Sequence, residues 1–409
     1  MNENSTNDSM KKTGLFIVIA FGLIACMLYG VGAAIRGNIG VLVTPMAEQC
    51  GVDYGDVSFC VAVMNIVFGI VQPVFGALAA KTSNRFVLIT GAGLLICSMI
   101  GMMQARSFAM LLFSLGIVFG FGAGALAFGL ILTSAIYFVG QEHAMTISGM
   151  LNAAAGMISF ILAPVMQGLL NLGGLSMTLT VLGVIAALLV PVAFVVTSKD
   201  PSKGFKGARL SEDSGALGGF LALKNAFRNR TYLLLIAGFS TCGFHMVIIE
   251  SHLFNQYVFY GIDRAAASWA FSFYGIATIV GALLSGWLSV KLHKGRLLGF
   301  YYGFRAVWVM IYLFLMPKNF TTAIVFSIGL GMTGDATVSP TSGLVNQNFD
   351  LRSVATLIGF LFFGHQVGAF LSAWLGGLLF DQTGSYVTIW MIDVALCAFA
   401  SIMSLRIKR

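Results

Sequence analysis

Charge is what this sequence lacks most. Only 9% of its 409 residues are Asp, Glu, Lys or Arg, where a soluble domain carries about a quarter. Acids are the scarcer sign, 15 against 23 Lys and Arg. With 58% apolar residues there is too little polar surface to cover a water-soluble globule, which excludes an ordinary soluble enzyme and a disordered regulator. Proline is rare, 7 in all. The 6 cysteines, Cys26, Cys50, Cys60, Cys97, Cys242 and Cys397, lie in or beside apolar runs, with no CxxC pair and no histidine at ligand spacing. They read as small packing residues, and no metal is expected. There is no Walker-type loop, no HExxH and no Ser/His/Asp grouping, so no cofactor and no enzymatic activity are expected.

What the sequence does have is apolar length, with a mean hydropathy of +0.91. A membrane helix needs about 20 apolar residues, and twelve of them would use about 240 positions. The runs predict twelve spans, at 14–46, 55–80, 85–105, 108–138, 144–171, 175–197, 231–259, 265–290, 296–316, 320–344, 353–380 and 385–405. The fold class is therefore an all-α, multi-pass membrane protein whose solvent is the lipid bilayer. The first thirteen residues are polar and end in Lys11-Lys12, and the run after them is too long for the core of a cleaved signal.

Three units follow: a six-helix bundle over 1–197, a basic linker over 198–230 and a second six-helix bundle over 231–409. The linker holds Lys199, Lys203, Lys206, Arg209, Lys224, Arg228 and Arg230. On the same side fall the N-terminal lysines, Lys81, Arg85, Lys291, Lys294, Arg296, Arg352 and the C-terminal Arg406, Lys408 and Arg409, with only Arg106, Arg264 and Lys318 opposite. Cytoplasmic loops collect Lys and Arg, so both termini are expected in the cytoplasm and the protein in the cell (inner) membrane. The positive charge is thus explained by topology, and no nucleic acid is expected as a partner. A monomer is expected.

The halves repeat. Gly76-Ala-Leu78-Ala-Ala-Lys81 aligns with Gly286-Trp-Leu288-Ser-Val-Lys291, and Gly168-Leu-Leu170 finds Gly377-Leu-Leu379. Two halves with the same in/out sense are parallel repeats, an architecture that places a binding site at their interface and makes rocking of one half on the other the natural motion.

Charges inside the spans need partners or a wet cavity, since each costs at least about 2.5–3.5 kcal/mol at the bilayer centre. Arg36 and Glu250 lie at one depth in the first span of each half, about 30 Å from its start at 1.5 Å per residue. They are expected to face each other, either as an anion-binding arginine with a gating or proton-carrying carboxylate, or as a static bridge. Arg305 and Asp335 are expected to form a second pair, structural, gating or proton-coupling. Asp393 reads as a satisfied packing residue or a headgroup-level charge. His245, His365 and Gln366 are midplane groups able to donate to a carboxylate, and His252 belongs with the outer gate. Asn65 and Asn152 are candidate neutral ligands. Gly116-x-x-x-Gly120-x-Gly122-x-Gly124 has no strand before it and reads as close helix packing. Trp269, Phe271, Phe273 and Tyr274 are a candidate apolar wall.

The chain resembles the major facilitator superfamily, and in detail its monocarboxylate-transporter and oxalate/formate-antiporter branch. The resemblance rests on Arg36-Gly-Asn-Ile-Gly-Val41 with Thr44-Pro45-Met46, Gln72-Pro73-x-x-Gly76, Cys242-Gly-Phe-His245, Tyr302-x-x-Arg305-Ala306, Pro340-Thr-Ser-Gly-Leu344, His365-Gln366-x-Gly368 and Ala373-Trp-Leu-Gly-Gly-Leu-Leu-Phe-Asp381. It implies a secondary transporter of a small organic anion, working by alternating access with a proton as symported partner or a counter-anion in exchange. Two departures bear on this. The loop that locks the superfamily's outward-facing state, here Gly76 to Arg85 with Lys81 and Arg85, lacks its acid, and span 8 lacks the branch's carboxylate-binding arginine. An efflux carrier of amphipathic compounds is the alternative, while a membrane enzyme would need a nucleophile with a base, and a receptor a soluble output domain.

Overall fold

The computed structural model describes residues 3–200 and 223–407. The middle of the expected linker, with Lys203, Lys206 and Arg209, lies outside the described residues, as do Lys408, Arg409 and the side chains of Lys11, Lys12 and Arg352. Among the described residues every regular element is helical. In chain order these are α1 (Glu3–Gly37), α2 (Gly40–Cys50), α3 (Tyr54–Lys81), α4 (Asn84–Gln104), α5 (Phe108–Val139) and α6 (Ala144–Val196). The second half holds α7 (Arg230–Phe259), α8 (Arg264–Lys291), α9 (Lys294–Phe314), α10 (Phe320–Thr333), α11 (Val338–Asn348), α12 (Leu351–Thr383) and α13 (Val387–Leu405).

Ten of the described helical stretches are long and apolar enough to cross a membrane, and they do not match the expected spans one to one. Spans 5 and 6 run together as α6, 53 residues with a break where Gly174 takes φ 67°, a left-handed backbone that favours glycine. The chain turns back there. Before the break α6 runs parallel to α1, with Ala154 beside Gly30 and the Ser159 carbonyl beside Asn38. After it the helix runs against α4, with Thr180 on Met103 and Thr197 on Arg85. Expected span 10 is split into α10 and α11 at Gly334, and each piece is too short to count alone.

The repeat seen in the sequence is also a repeat of helices. α3 and α8 are both 28 residues long and α4 and α9 both 21, and Tyr54/Arg264, Lys81/Lys291 and Asn84/Lys294 are each 210 apart. The starts are capped in kind: Ser83 accepts from the Phe86 N–H at 3.1 Å and His293 Nδ1 from the Arg296 N–H at 3.3 Å, filling donors that the first helical turn leaves open. Large apolar side chains cover the outside, among them Phe113, Leu172, Val290 and Val307. That is the surface hydrocarbon requires.

Lipid tails are as apolar as leucine, so helices in a membrane are held by close packing rather than by burial from water. Small residues provide it. Gly116 and Gly120 of α5 meet the α3 carbonyls of Cys60 and Met64, and Gly122 lies against α4. α7 and α12 press closer still: a Cβ on Gly243 would run into the His365 carbonyl, and one on Gly368 into that of Ser240. Gly93 of α4, in contrast, has open space around it. Gly368→Ala is therefore expected to lower the melting temperature of the detergent-purified protein, by the equivalent of about 1–3 kcal/mol of overpacking or more. Gly93→Ala should hold or raise it, by up to about 1 kcal/mol of helix propensity; equal effects of the two would refute the packing account.

Candidate functional site

The site begins where the first helix stops. Asn38 turns its side-chain N–H back to the Ala34 carbonyl at 2.8 Å, competing with the helical ladder, and α1 ends with Arg36 in its last turn. The chain restarts at Gly40, whose backbone lies so close to α7 that a Cβ would stand 2.5 Å from the Glu250 carbonyl. Opposite, residues Ile249–Leu253 of α7 wind in a wider i→i+5 turn, the kind of local insertion that re-aims side chains at functional sites. Two irregular backbones thus meet at one depth. Arg36 Nη1 donates to Glu250 Oε2 at 3.0 Å and to Asn65 Oδ1 at 2.9 Å, and its guanidinium lies 5.2 Å from the centre of the Phe68 ring. Asn65 is held in turn by donating to the Val61 carbonyl at 3.0 Å.

Arg36 and Glu250 form the floor of a cavity of about 580 Å³ between the halves of the chain. α6 contributes Ser148, Asn152, Gly156 and Ser159; α8 contributes Phe271, Tyr274, Gly275 and Thr278; Tyr29, Asp335, Ser339 and Phe362 complete most of the wall. Gly156 and Gly275 let α6 and α8 nearly touch, since a Cβ on Gly156 would meet the Gly275 carbonyl at 2.6 Å. The lining reaches Ser148, near the start of α6, and Leu283, near the end of α8. It therefore runs from the Arg36 floor toward the end of the molecule that carries Lys81, Arg85 and Lys291.

Beyond the floor the two halves are bolted together. Asn255 donates to the Gly40 carbonyl at 2.7 Å and accepts from Thr44 at 3.0 Å. His252 has its Nε2 3.1 Å from the Ala373 carbonyl, which fixes the proton there, so Nδ1 accepts from the Tyr54 hydroxyl at 2.8 Å. The Gly55 N–H donates to Asp381 at 2.7 Å. His252 thus sits in the closed end, with Tyr54 and Tyr386 packed on it and Phe380 against Tyr54.

Several expected site residues stand elsewhere. His245 does not reach the cavity: it is fully buried, with Nδ1 2.7 Å from Asp393 Oδ2, and Asp393 is itself fully buried. Asp393 is a satisfied interior group, then, not one at headgroup level, because the imidazole and the Cys397 thiol supply its partners. The donor atoms of His245, Asp393 and Cys397 lie within 4.8 Å of one another, with the imidazole and the thiol each bonded to a different oxygen of Asp393, while His245 Nε2 is buried without a partner. The expected Arg305–Asp335 pair is not formed. Arg305 donates through Nη2 to the Thr333 and Gly334 carbonyls instead, where the break after α10 leaves its last carbonyls unpaired and negative. Asp335 faces the cavity and Arg305 is buried behind it.

The remaining expectations divide. Asn152 lines the cavity, and Asn65 touches it only through Arg36. His365 and Gln366 pack between α12 and its neighbours, off the wall, with His365 against the Phe239 ring and Gln366 against Gly69. Of the aromatic group at the start of α8, Phe271 and Tyr274 reach the cavity, while Trp269 and Phe273 pack on Phe160. Arg85 donates to Thr197 Oγ1 and to its carbonyl, each at 3.0 Å, tying α4 to the end of α6; Lys81 is exposed. Asp200 supplies an acid beside that loop, accepting from Ser134 at 2.8 Å; burial pushes its carboxyl up from the usual carboxylate range, opposed by Ser134, Asn84 and Arg85. Tyr29, Ser159 and Thr278 were not singled out by sequence, because a hydroxyl in an apolar helix carries no signal of which face it occupies.

The Major Facilitator Superfamily pattern matches residues 23–259 and 246–409. The chain is 24% identical over 410 residues to the uncharacterized MFS-type transporter YcxA of Bacillus subtilis (strain 168), covering 94% of each chain. It is 25% identical over 384 residues to monocarboxylate transporter 12 of Rattus norvegicus, covering 86% of this chain and 76% of that one. Among solved structures, the crystal structure of a mutant of the nucleoside transporter NupG superposes with a TM-score of 0.78 at 14% identity, covering 94% of this chain and 99% of the other, a likeness of fold. With a family pattern spanning almost every helix, this chain belongs to the Major Facilitator Superfamily of membrane transporters.

Proposed function

We propose that the protein carries an organic carboxylate with an apolar portion across the cell membrane by alternating access, together with a proton. One observation carries the reading: a cation, Arg36, stands at the floor of the central cavity, held by a carboxylate from the opposite half of the chain. An ionised Glu250 competes with any anion for that guanidinium. Protonating Glu250 removes the competitor, so acid and proton bind together, which is the thermodynamic requirement for symport. Asn65 holds the guanidinium in place, Asn152 and Ser159 offer neutral hydrogen bonds, and Phe271 and Phe362 fit an apolar body better than a small dicarboxylate.

Alternating access follows from the same residues. The bolted end carries few basic residues and the open end many, so by the distribution of Lys and Arg the cavity faces the cytoplasm here, with both termini on that side. Moving to the outward-open state requires breaking the Asn255–Gly40 and Tyr54–His252 contacts together with the Arg36–Glu250 bridge. We infer one such unit per functional carrier, since the cavity lies wholly within one chain.

A second reading, export of cationic amphiphiles, is favoured by Asp335, a carboxylate on the wall that pairs with no described Lys or Arg. Uptake into proteoliposomes separates the two. Arg36→Gln should lower kcat/KM for a carboxylate by at least about thirtyfold, the low end of losing one partner of a buried charge pair, with protein still inserted; unchanged uptake would remove Arg36 from the site. Uptake should rise as the pH outside falls. Glu250→Gln should abolish proton-driven accumulation while keeping counterflow exchange, and equal loss of both would make the bridge merely structural. Asn255→Ala should increase labelling of a cysteine introduced at Thr44, as the closed end loosens; no change would mean that these contacts do not hold it shut.

A further inference from the structure

The substrate class can be narrowed, on the reading of this cavity as an organic-acid site. Three Arg, Lys, Asp or Glu side chains reach the wall, Arg36, Glu250 and Asp335. Two of them hold each other at 3.0 Å. The third stands in the turn between α10 and α11, and its carboxylate forms no hydrogen bond or ion pair with any described side chain. Arg305 behind it is committed to the Thr333 and Gly334 carbonyls, and its Nε and Nη1 reach no acceptor. Beside Asp335, the Tyr274 hydroxyl is buried without a partner, on the same wall, close enough to Gly334 that a Cβ there would lie 3.1 Å away. Most of the rest is small or aromatic, with Gly156 and Gly275 on one side and Phe271 and Phe362 on others.

A plain monocarboxylate fits this wall poorly. It would sit in a low-dielectric space with its charge answered by Arg36 but with Asp335 left facing it, and an unanswered charge there is costly. With a proton on Glu250 the cavity has one positive pole from the first half of the chain and one negative pole from the second. We propose that the ligand matches both: a zwitterionic amino carboxylate with an apolar body, its carboxylate on Arg36 and its ammonium on Asp335, with the Tyr274 hydroxyl as a further partner. Such a ligand bridges the two halves. Closure around it satisfies both poles at once, whereas a ligand with a single charge leaves one of them open.

The test uses probes that share a body and differ only in charge: L-phenylalanine, 3-phenylpropionate and 2-phenylethylamine, and the smaller set L-alanine, propionate and ethylamine. Ligand-induced thermal stabilisation of the full-length protein in detergent at mildly acidic pH reports binding to the folded state. In at least one set the zwitterion is expected to bind about tenfold or more tightly than its acid, a difference of about 1.4 kcal/mol. Asp335→Asn should reverse that order, weakening the zwitterion and strengthening the acid, and Asp335→Glu should restore it; unliganded melting temperatures confirm that both variants are folded. Acids binding as well as zwitterions, with no response to Asp335→Asn, would overturn the inference and leave the organic-acid reading standing. Binding of the amines alone would overturn both. Absence of stabilisation by either zwitterion would also overturn the inference.

Discussion

An arginine and a glutamate placed at the same depth of apolar helices, on opposite halves of the chain, are the constraint around which this structure is arranged. Neither charge is tolerable there alone, and each finds its main charged partner across the interface. The bridge needs backbones that come close, and this explains the end of α1 at Gly37, the restart at Gly40 against the Glu250 carbonyl, and the wider winding of α7 at Ile249–Leu253. A regular helix in either position would carry its side chain elsewhere. The same bridge marks the depth at which the sealed end gives way to the open cavity.

The two halves solve their internal charges differently. In the first, polar groups gather at helix ends, with Arg85, Thr197, Ser134 and Asp200 linking α4, α5 and α6 where water is near. In the second they are buried deep: His245 with Asp393, Cys397 beside them, and Arg305 on the carbonyls at the break after α10. A buried polar group held by hydrogen bonds has a strongly specified geometry, because breaking them leaves it unsatisfied in a low-dielectric interior. Arg305, donating to the Thr333 and Gly334 carbonyls, ties the α10–α11 turn, and with it Asp335, to α9. The interior of the second half is in this way a support for one side chain of the cavity wall.

The contact surfaces within and between halves are lined with glycine for a reason specific to lipid. Without a hydrophobic drive between helices, attraction comes from many atoms in van der Waals contact, and only the smallest side chain brings backbones near enough. Gly243 and Gly368 do this between α7 and α12, and Gly156 and Gly275 do it between α6 and α8, one pair inside a half and one between halves. The α6–α8 contact forms part of the cavity wall, so its glycines serve both packing and shape.

Much of the architecture was legible in the order of residues alone. Apolar runs, rare charge, basic residues collected at one end and the 210-residue repeat depend on composition and period, which survive without coordinates, and the facing of Arg36 and Glu250 followed from counting residues along two equivalent helices. What the sequence left open was rotation about each helix axis and the irregular turns that reset it. His245 and Asp335 illustrate this: both are polar groups near the middle of apolar segments, and only packing turned the first inward to Asp393 and the second out to the cavity. Arg305 was lost to a pairing argument for a related reason, since the broken end of a helix offers carbonyl oxygens that no residue letter records. Composition determines that a chain must live in lipid, because that free energy sums over residues; which polar group meets which is decided by directional contacts, and these exist only once the helices are packed.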